Sequence, residues 1–256
     1  MQRLLTRVQN RLLDALSDDD HRLIGPHLAQ IDLERGRLLY DPGDRIDTVY
    51  FPHDGVISLM TLMENGAAIE SATIGCEGAL GLMAAVAPRQ SLSRAIVQTP
   101  TRASRISAER LREAWEKSAR IKDLVDRHNE ALYGHAIQSV ACNALHSVEA
   151  RFCRWLLTCH DRISTDTVAL TQEFLADMLG VQRTTVTAVA RTLQAKGAIR
   201  YRRGVVDIID RSVLEQLACE CYGVIRDTYE RLLPEGPFAE RSEERMVERA
   251  GGKHRG

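Results

Sequence analysis

The stretch LADMLGVQRTTVTAVARTL (175–193) places Gln182, Arg183, Thr184 and Thr185 at the opening of an amphipathic run that follows a glycine. The first turn of a helix carries backbone N–H groups without intrahelical partners and the positive end of the dipole, so it suits an anion such as phosphate. In a major groove an arginine there can hold guanine bidentately and a glutamine can hold adenine. The outward residues at this start are Gln182, Arg183, Thr184 and Thr187. Thr185 would meet a phosphate or a thymine methyl, or cap its own helix start. Between Asp177 and Asp207 there is no acidic residue, while Arg183, Arg191, Lys196, Arg200, Arg202 and Arg203 are present. The local field is therefore positive although the chain carries a net charge of -1. Arg200, Arg202 and Arg203 are expected to touch phosphates, which positions a protein on a duplex without reading its sequence.

Other chemistries find less support. The chain has no Gly-rich phosphate loop, no H-E-x-x-H and no G-x-S-x-G, so it does not read as an enzyme. Cys153 and His160 share a helical face, but packing and surface roles explain them. The 6 cysteines (Cys76, Cys142, Cys153, Cys159, Cys219 and Cys221) read as reduced thiols rather than a disulfide framework. Cys219-Glu220-Cys221 has one intervening residue, and no second Cys or His pair stands at zinc-ribbon spacing. No metal and no cofactor is expected.

These residues need elements to position them. Thr171 is a plausible N-cap for a helix over about 172–179, with Gln172 beside it at the same surface. Gly180 permits the turn into the second helix. Phe174, Leu175, Met178 and Val181 face inward against Val186, Val189, Ala190 and Leu193. IRYRRGVVDIID (199–210) reads as a hairpin about a glycine turn, and two short helices followed by a hairpin make a winged helix-turn-helix. Upstream, short apolar runs broken by DPGD (41–44) and ENG (64–66) predict a small antiparallel barrel or roll. Apolar residues at helical spacing predict a long helix from about Arg120 to Asn143, carrying His128 and His135 on one face, as a dimer seam or strut. These histidines are expected at the seam or surface; across a dimer they would form a pH-sensitive or metal-binding cluster. A further helix (147–161) turns Phe152, Trp155, Leu156 and Cys159 inward. The expected organisation is N-terminal helices (1–30), a roll (31–116), a dimerisation helix (117–146), a winged helix-turn-helix (147–233) and a disordered tail (234–256). The fold class is α+β. No stretch approaches the roughly 20 apolar residues of a membrane span, and the N-terminus lacks a secretory pattern, so a cytoplasmic protein is expected.

From residue 30 to 233 the chain resembles the CRP/FNR superfamily of bacterial transcription regulators. The resemblance is carried by LLYDPGDRIDTVYFPHDGVISL (38–59), IGCEGALGL (74–82), the long helix, LTQEFLADMLGVQRTTVTAVARTLQAKGAIRYRRG (170–204) and ACECY (218–222). It implies a cyclic-nucleotide-binding-like β-roll sensor, a dimerisation helix and a winged helix on a two-fold symmetric site. The implied partners are double-stranded DNA and a second copy of the chain, with RNA polymerase a further candidate. Cyclic-nucleotide-binding members use a glutamate for the ribose and an arginine for the cyclic phosphate. Here Ala79 stands at the position resembling that glutamate, Glu77 lies two residues earlier and Arg94 is displaced in register. Loss of a charged partner at such a site would cost several kcal/mol. An effector pocket around Gly78, Ala79, Leu80 and Arg94 is therefore not expected to bind cyclic AMP tightly. With no cysteine before Cys76, a haem or iron–sulfur sensor of the oxygen-sensing type is not supported. The family pattern Arg-Glu-Thr-Val-x-Arg corresponds to Arg183-Thr184-Thr185-Val186-Thr187-Ala188, so the target sequence should differ from the commonest family operator. The alternative is a ligand- or protein-binding module that uses the winged helix for docking; weak dependence on salt would distinguish it.

Overall fold

The computed structural model describes residues 10–233. The Asn10 side chain caps α1 (Arg11–Asp14) and donates to the carbonyls of Pro52 and Gly78 at 2.8 and 2.9 Å. α2 (Asp18–Ile24) starts at a capping box in which Ser17 and Asp20 satisfy each other's main-chain N–H, as the run of acids after Ser17 predicts.

The roll comprises β1 (Ala29–Leu33), β2 (Leu38–Tyr40), β3 (Thr48–Pro52), β4 (Ile57–Leu62), β5 (Ala68–Ile74), β6 (Arg94–Val97) and β7 (Thr101–Ser107). These strands form two antiparallel sheets, ordered β1-β7-β3 and β2-β6-β4-β5. Inward residues of both sheets, among them Leu33, Ile57, Ile74, Val97 and Ala103, make one core. β1 begins inside the segment expected to be helical.

α3 (Ala108–Lys117) and α4 (Ala119–Leu145) are separate helices, because Ser118 caps the second with its hydroxyl. At 27 residues α4 is about 40 Å long. Its first half is buried through Ile121, Leu124 and Val125 against α1, α2 and α3. His128 and His135 correct the expectation of seam or surface histidines, since both are buried within the chain. They lie on the face that α4 turns to its own roll and C-terminal helix.

Beyond α4 lie α5 (Val148–Arg162), β8 (Thr167–Ala169), α6 (Gln172–Leu179), α7 (Arg183–Ala195), β9 (Ile199–Arg202), β10 (Val205–Ile208), α8 (Arg211–Leu217) and α9 (Cys221–Leu232). β8, β10 and β9 form an antiparallel sheet in that order. Phe152, Trp155, Leu156, Leu175, Val186, Leu193 and Val206 are fully buried in a core that also takes in Val56 and Met60 of the roll. Each such side chain contributes roughly 1.5–3 kcal/mol, so the winged helix is packed onto the roll through shared apolar surface. α9 returns along α4 and buries Ile225 and Tyr229, and Arg11 donates to the carbonyl of Leu233 at 3.0 Å. The tail expected over 234–256 lies outside the described residues. Among the described residues no helix is long and apolar enough to cross a membrane.

Candidate nucleic-acid interface

α6 starts where predicted, with Thr171 Oγ1 accepting from the N–H of Phe174 at 3.2 Å. It ends at Gly180, whose left-handed φ of 61° turns the chain into α7. α7 then opens at Gln182, which makes no side-chain cap. Ser107, Ser118, Ser147 and Thr171 cap their helices with a hydroxyl, whereas α7, like α9, starts without a side-chain cap. Its first N–H groups are left for an outside acceptor. Gln182, Arg183 and Thr184 are exposed, Thr185 and Thr187 are half-buried, and Val186, Ala190 and Leu193 hold the opposite face in the core. Arg183 Nε rests on Gln172 Oε1 at 3.3 Å, beside a cleft of about 400 Å³ lined by Thr171, Gln172, Arg183, Tyr201, Arg203 and Gly204. Thr187 donates its hydroxyl to the Arg183 carbonyl at 3.0 Å, which leaves its oxygen only as an acceptor and its methyl as apolar surface.

The wing is the hairpin of β9 and β10, closed by Arg203 and Gly204 between paired Arg202 and Val205. Both turn residues have positive φ, 48° and 78°, the pattern of a type I′ turn. A non-glycine residue there costs about 1–2 kcal/mol. β9 and its turn carry three exposed arginines, Arg200, Arg202 and Arg203. Lys196 is paired with Glu149 at 2.6 Å. Among the described residues Arg183, Arg191, Arg200, Arg202 and Arg203 have no carboxylate partner.

The candidate effector residues are in the opposite condition. Gly78, Ala79 and Leu80 are buried, and the N–H of Ala79 donates to His128 Nε2 at 3.1 Å. A Cβ on Gly78 would lie 2.6 Å from that nitrogen, so only glycine fits. Burial pushes the His128 imidazole down to about 4 and keeps it neutral. Glu77 is held by Arg162, which donates Nε and Nη2 at 3.0 and 2.5 Å and also reaches Thr73. Arg94 donates to both oxygens of Asp41 at 2.7 and 2.9 Å, so its charge is committed to the DPGD turn.

Two family models match the chain in the order of these units: the cyclic nucleotide-binding domain over residues 30–118 and the Crp-like helix-turn-helix domain over residues 150–217. Together they span more than half of it. The chain belongs to the CRP/FNR family of transcription regulators. A CRP/FNR-family protein from Eubacterium rectale superposes with a TM-score of 0.63 at 19% identity, covering 80% of this chain and 96% of that one. FixK2 from Bradyrhizobium japonicum gives 0.64 at 16% identity, with 75% and 98% covered. A CRP-family transcriptional regulator from Thermus thermophilus gives 0.62 at 20% identity, with 73% and 96% covered. At these identities the superpositions establish the shared fold. A comparison with curated protein sequences finds no significant match.

In this CRP/FNR regulator several working residues escape a reading of the sequence. Glu70 is buried and accepts from Ser58 Oγ at 2.6 Å and from Trp155 Nε1 at 3.0 Å, so Trp155 ties the DNA-binding half to the roll in addition to filling the core. Strand alternation gives no signal for it, because a bulge at Ser71 pairs Glu70 with Met60 and turns it to the face shared with Trp155, opposite the roll-core face of Ile74. Cys153 and His160 form no nucleophile–base pair. Burial pushes the Cys153 thiol up to about 12, and His160 is taken by Asp166 at 2.6 Å and Arg211 at 2.8 Å. No second Cys or His pair stands at zinc-ribbon spacing from Cys219 and Cys221, yet Cys142 and His146, one turn apart at the end of α4, meet them in space.

Proposed function

We propose that this regulator binds a two-fold symmetric DNA site as a homodimer, with α7 in the major groove and the wing against the backbone. The observation that carries the reading is the uncapped, exposed start of α7, flanked by five arginines without carboxylate partners. Gln182, Arg183, Thr184 and Thr187 stand where base edges would lie, with Thr171, Gln172, Thr185, Arg191, Arg200, Arg202 and Arg203 toward the phosphates. The second copy is supported by the second half of α4, where Tyr133, Ile137 and Val140 are 69%, 52% and 72% exposed on one helical face. A stripe of apolar residues at that spacing is a two-helix seam. Cyclic AMP is not the effector in this reading, because Glu77, the N–H of Ala79 and Arg94 already have partners inside the chain. The cytoplasm is the compartment where such a protein meets its duplex.

Selection of bound duplexes from a random pool, with and without cyclic nucleotides, tests the whole reading at once. A palindromic consensus with half-sites one helical turn apart, unchanged by cyclic AMP, is the expected outcome. Binding that ignores sequence at low salt, or a protein that stays monomeric, would overturn it. An affinity that hardly changes with salt would favour a protein-docking role instead.

A further inference from the structure

We propose that Cys142, His146, Cys219 and Cys221 form a mononuclear zinc site that fastens the end of α4 to the start of α9. Their four ligand atoms all lie within 4.8 Å of one another, although they come from segments far apart in sequence. Cys142 Sγ is 3.5 Å from Cys219 Sγ, and Cys221 Sγ is 3.5 Å from His146 Nδ1. A tetrahedron with Zn–S bonds of about 2.3 Å and a Zn–N bond of about 2.0 Å has edges of roughly 3.5–3.8 Å, which the two shortest pairs already match, and the remaining pairs, all within 4.8 Å, need close by about 1 Å at most around a single small ion. The sulfurs are far beyond the roughly 2.05 Å of a disulfide. Thiolate with imidazole is a soft donor set of the kind zinc takes, and four protein ligands leave no open position, which makes the site structural.

The surroundings are those of a built site. His146 Nε2 is bonded to Glu220 Oε1 at 3.1 Å, and a carboxylate on the far nitrogen fixes Nδ1 as the metal-facing atom. Gln138 Nε2 donates to Cys221 Sγ at 3.0 Å. Arg151 and Arg154 interact electrostatically with the Cys142 thiol, which offsets the excess negative charge of three thiolates around a dication. Cys142 and Cys221 are fully buried, while half-buried His146 leaves a path for the ion.

The position gives the ion a mechanical role. His146 ends α4 at the joint where the chain leaves for α5, and Cys219 and Cys221 bracket the joint between α8 and α9. Removing the ion would release both joints together and alter how the DNA-binding half is held. That consequence rests on the DNA-binding reading above; the site itself does not.

Full-length protein purified under reducing conditions should carry about one zinc per chain by plasma mass spectrometry. Cys142→Ser and Cys219→Ser should each lower the content by roughly tenfold or more, while Cys153→Ala should leave it unchanged. Should the serine variants fail to fold, cobalt(II) added to stripped wild-type protein should give intense tetrahedral d–d bands with thiolate charge transfer, saturating at about one equivalent and displaced by zinc. Reduced wild-type protein that holds neither zinc nor cobalt would overturn the proposal. So would zinc retained in both serine variants, iron with acid-labile sulfide, or a disulfide in the freshly isolated chain. Metal content is read without DNA, so a failure here is distinct from a failure to bind a duplex.

Discussion

The first turn of α7 and the turn at Glu77–Leu80 are made of similar materials, namely backbone N–H groups beside charged side chains, and folding leaves them in opposite states. At α7 the cap is missing and the guanidiniums face outward without carboxylates. At the roll turn His128 takes the N–H of Ala79 and Arg162 takes Glu77, with Arg94 drawn away to Asp41. Family models cover both regions. What separates a binding surface from a structural joint is the hydrogen-bonding capacity left over once the chain has satisfied itself.

The contrast is most easily broken by substitution. The Arg162–Glu77 side chains are only 7% and 14% exposed, so Arg162→Ala should cost about 3–5 kcal/mol by leaving Glu77 unpaired. Arg191→Ala on exposed α7 should stay within about 0.5 kcal/mol. Denaturant titration compares the two, and similar losses would mean that the roll turn is not the structural member of the pair. A second effect comes from pH. The His128 value falls from 6.5 to about 4 on folding, so the folded state favours the neutral ring. Its contribution is complete above pH 6.5 and is lost as pH falls through 4, with a slope of up to about 1.4 kcal/mol per pH unit. His128→Gln should flatten that limb of the stability profile, apart from the part due to buried His135, which burial also holds neutral. An identical acid limb in wild type and variant would remove His128 from the account.

On the α7 side the effects fall on affinity. Arg183→Ala should weaken the selected site by about 1–3 kcal/mol and relax one base position, which competition with single-base variants would reveal. The smallest change is Arg203→Asn, since asparagine accepts positive φ and only the charge is lost. It should weaken all sequences alike and reduce the salt slope by about one, with folding stability unchanged. A change in base preference would place the wing tip in a groove rather than on the backbone.

Short-range signals carried most of the fold. Turn chemistry at DPGD and ENG marks the roll, and Thr171, Gly180 and the stripe of Val186, Ala190 and Leu193 mark the helix-turn-helix within a few neighbouring residues. Periodicity located α4 but not the assignment of its faces, because an apolar stripe looks the same whether it meets its own roll or a second copy. That is why His128 and His135 were assigned to the wrong side. Glu70 with Trp155, and Cys142 and His146 with Cys219 and Cys221, are contacts between distant segments and leave little local pattern. A C-x-x-x-H pair at a helix end followed by a C-x-C was the one trace of the second group, and it is weaker than a zinc-ribbon spacing.

The bond from Arg11 to the carbonyl of Leu233 closes the described chain into a circuit, running from the N-terminal turn through the roll and α4 to the reading head and back along α9. In such a circuit the head is not a door on one hinge. The start of α1 and the end of α9 are tied to each other and packed on α4, so a disturbance at either would be felt by the same contacts.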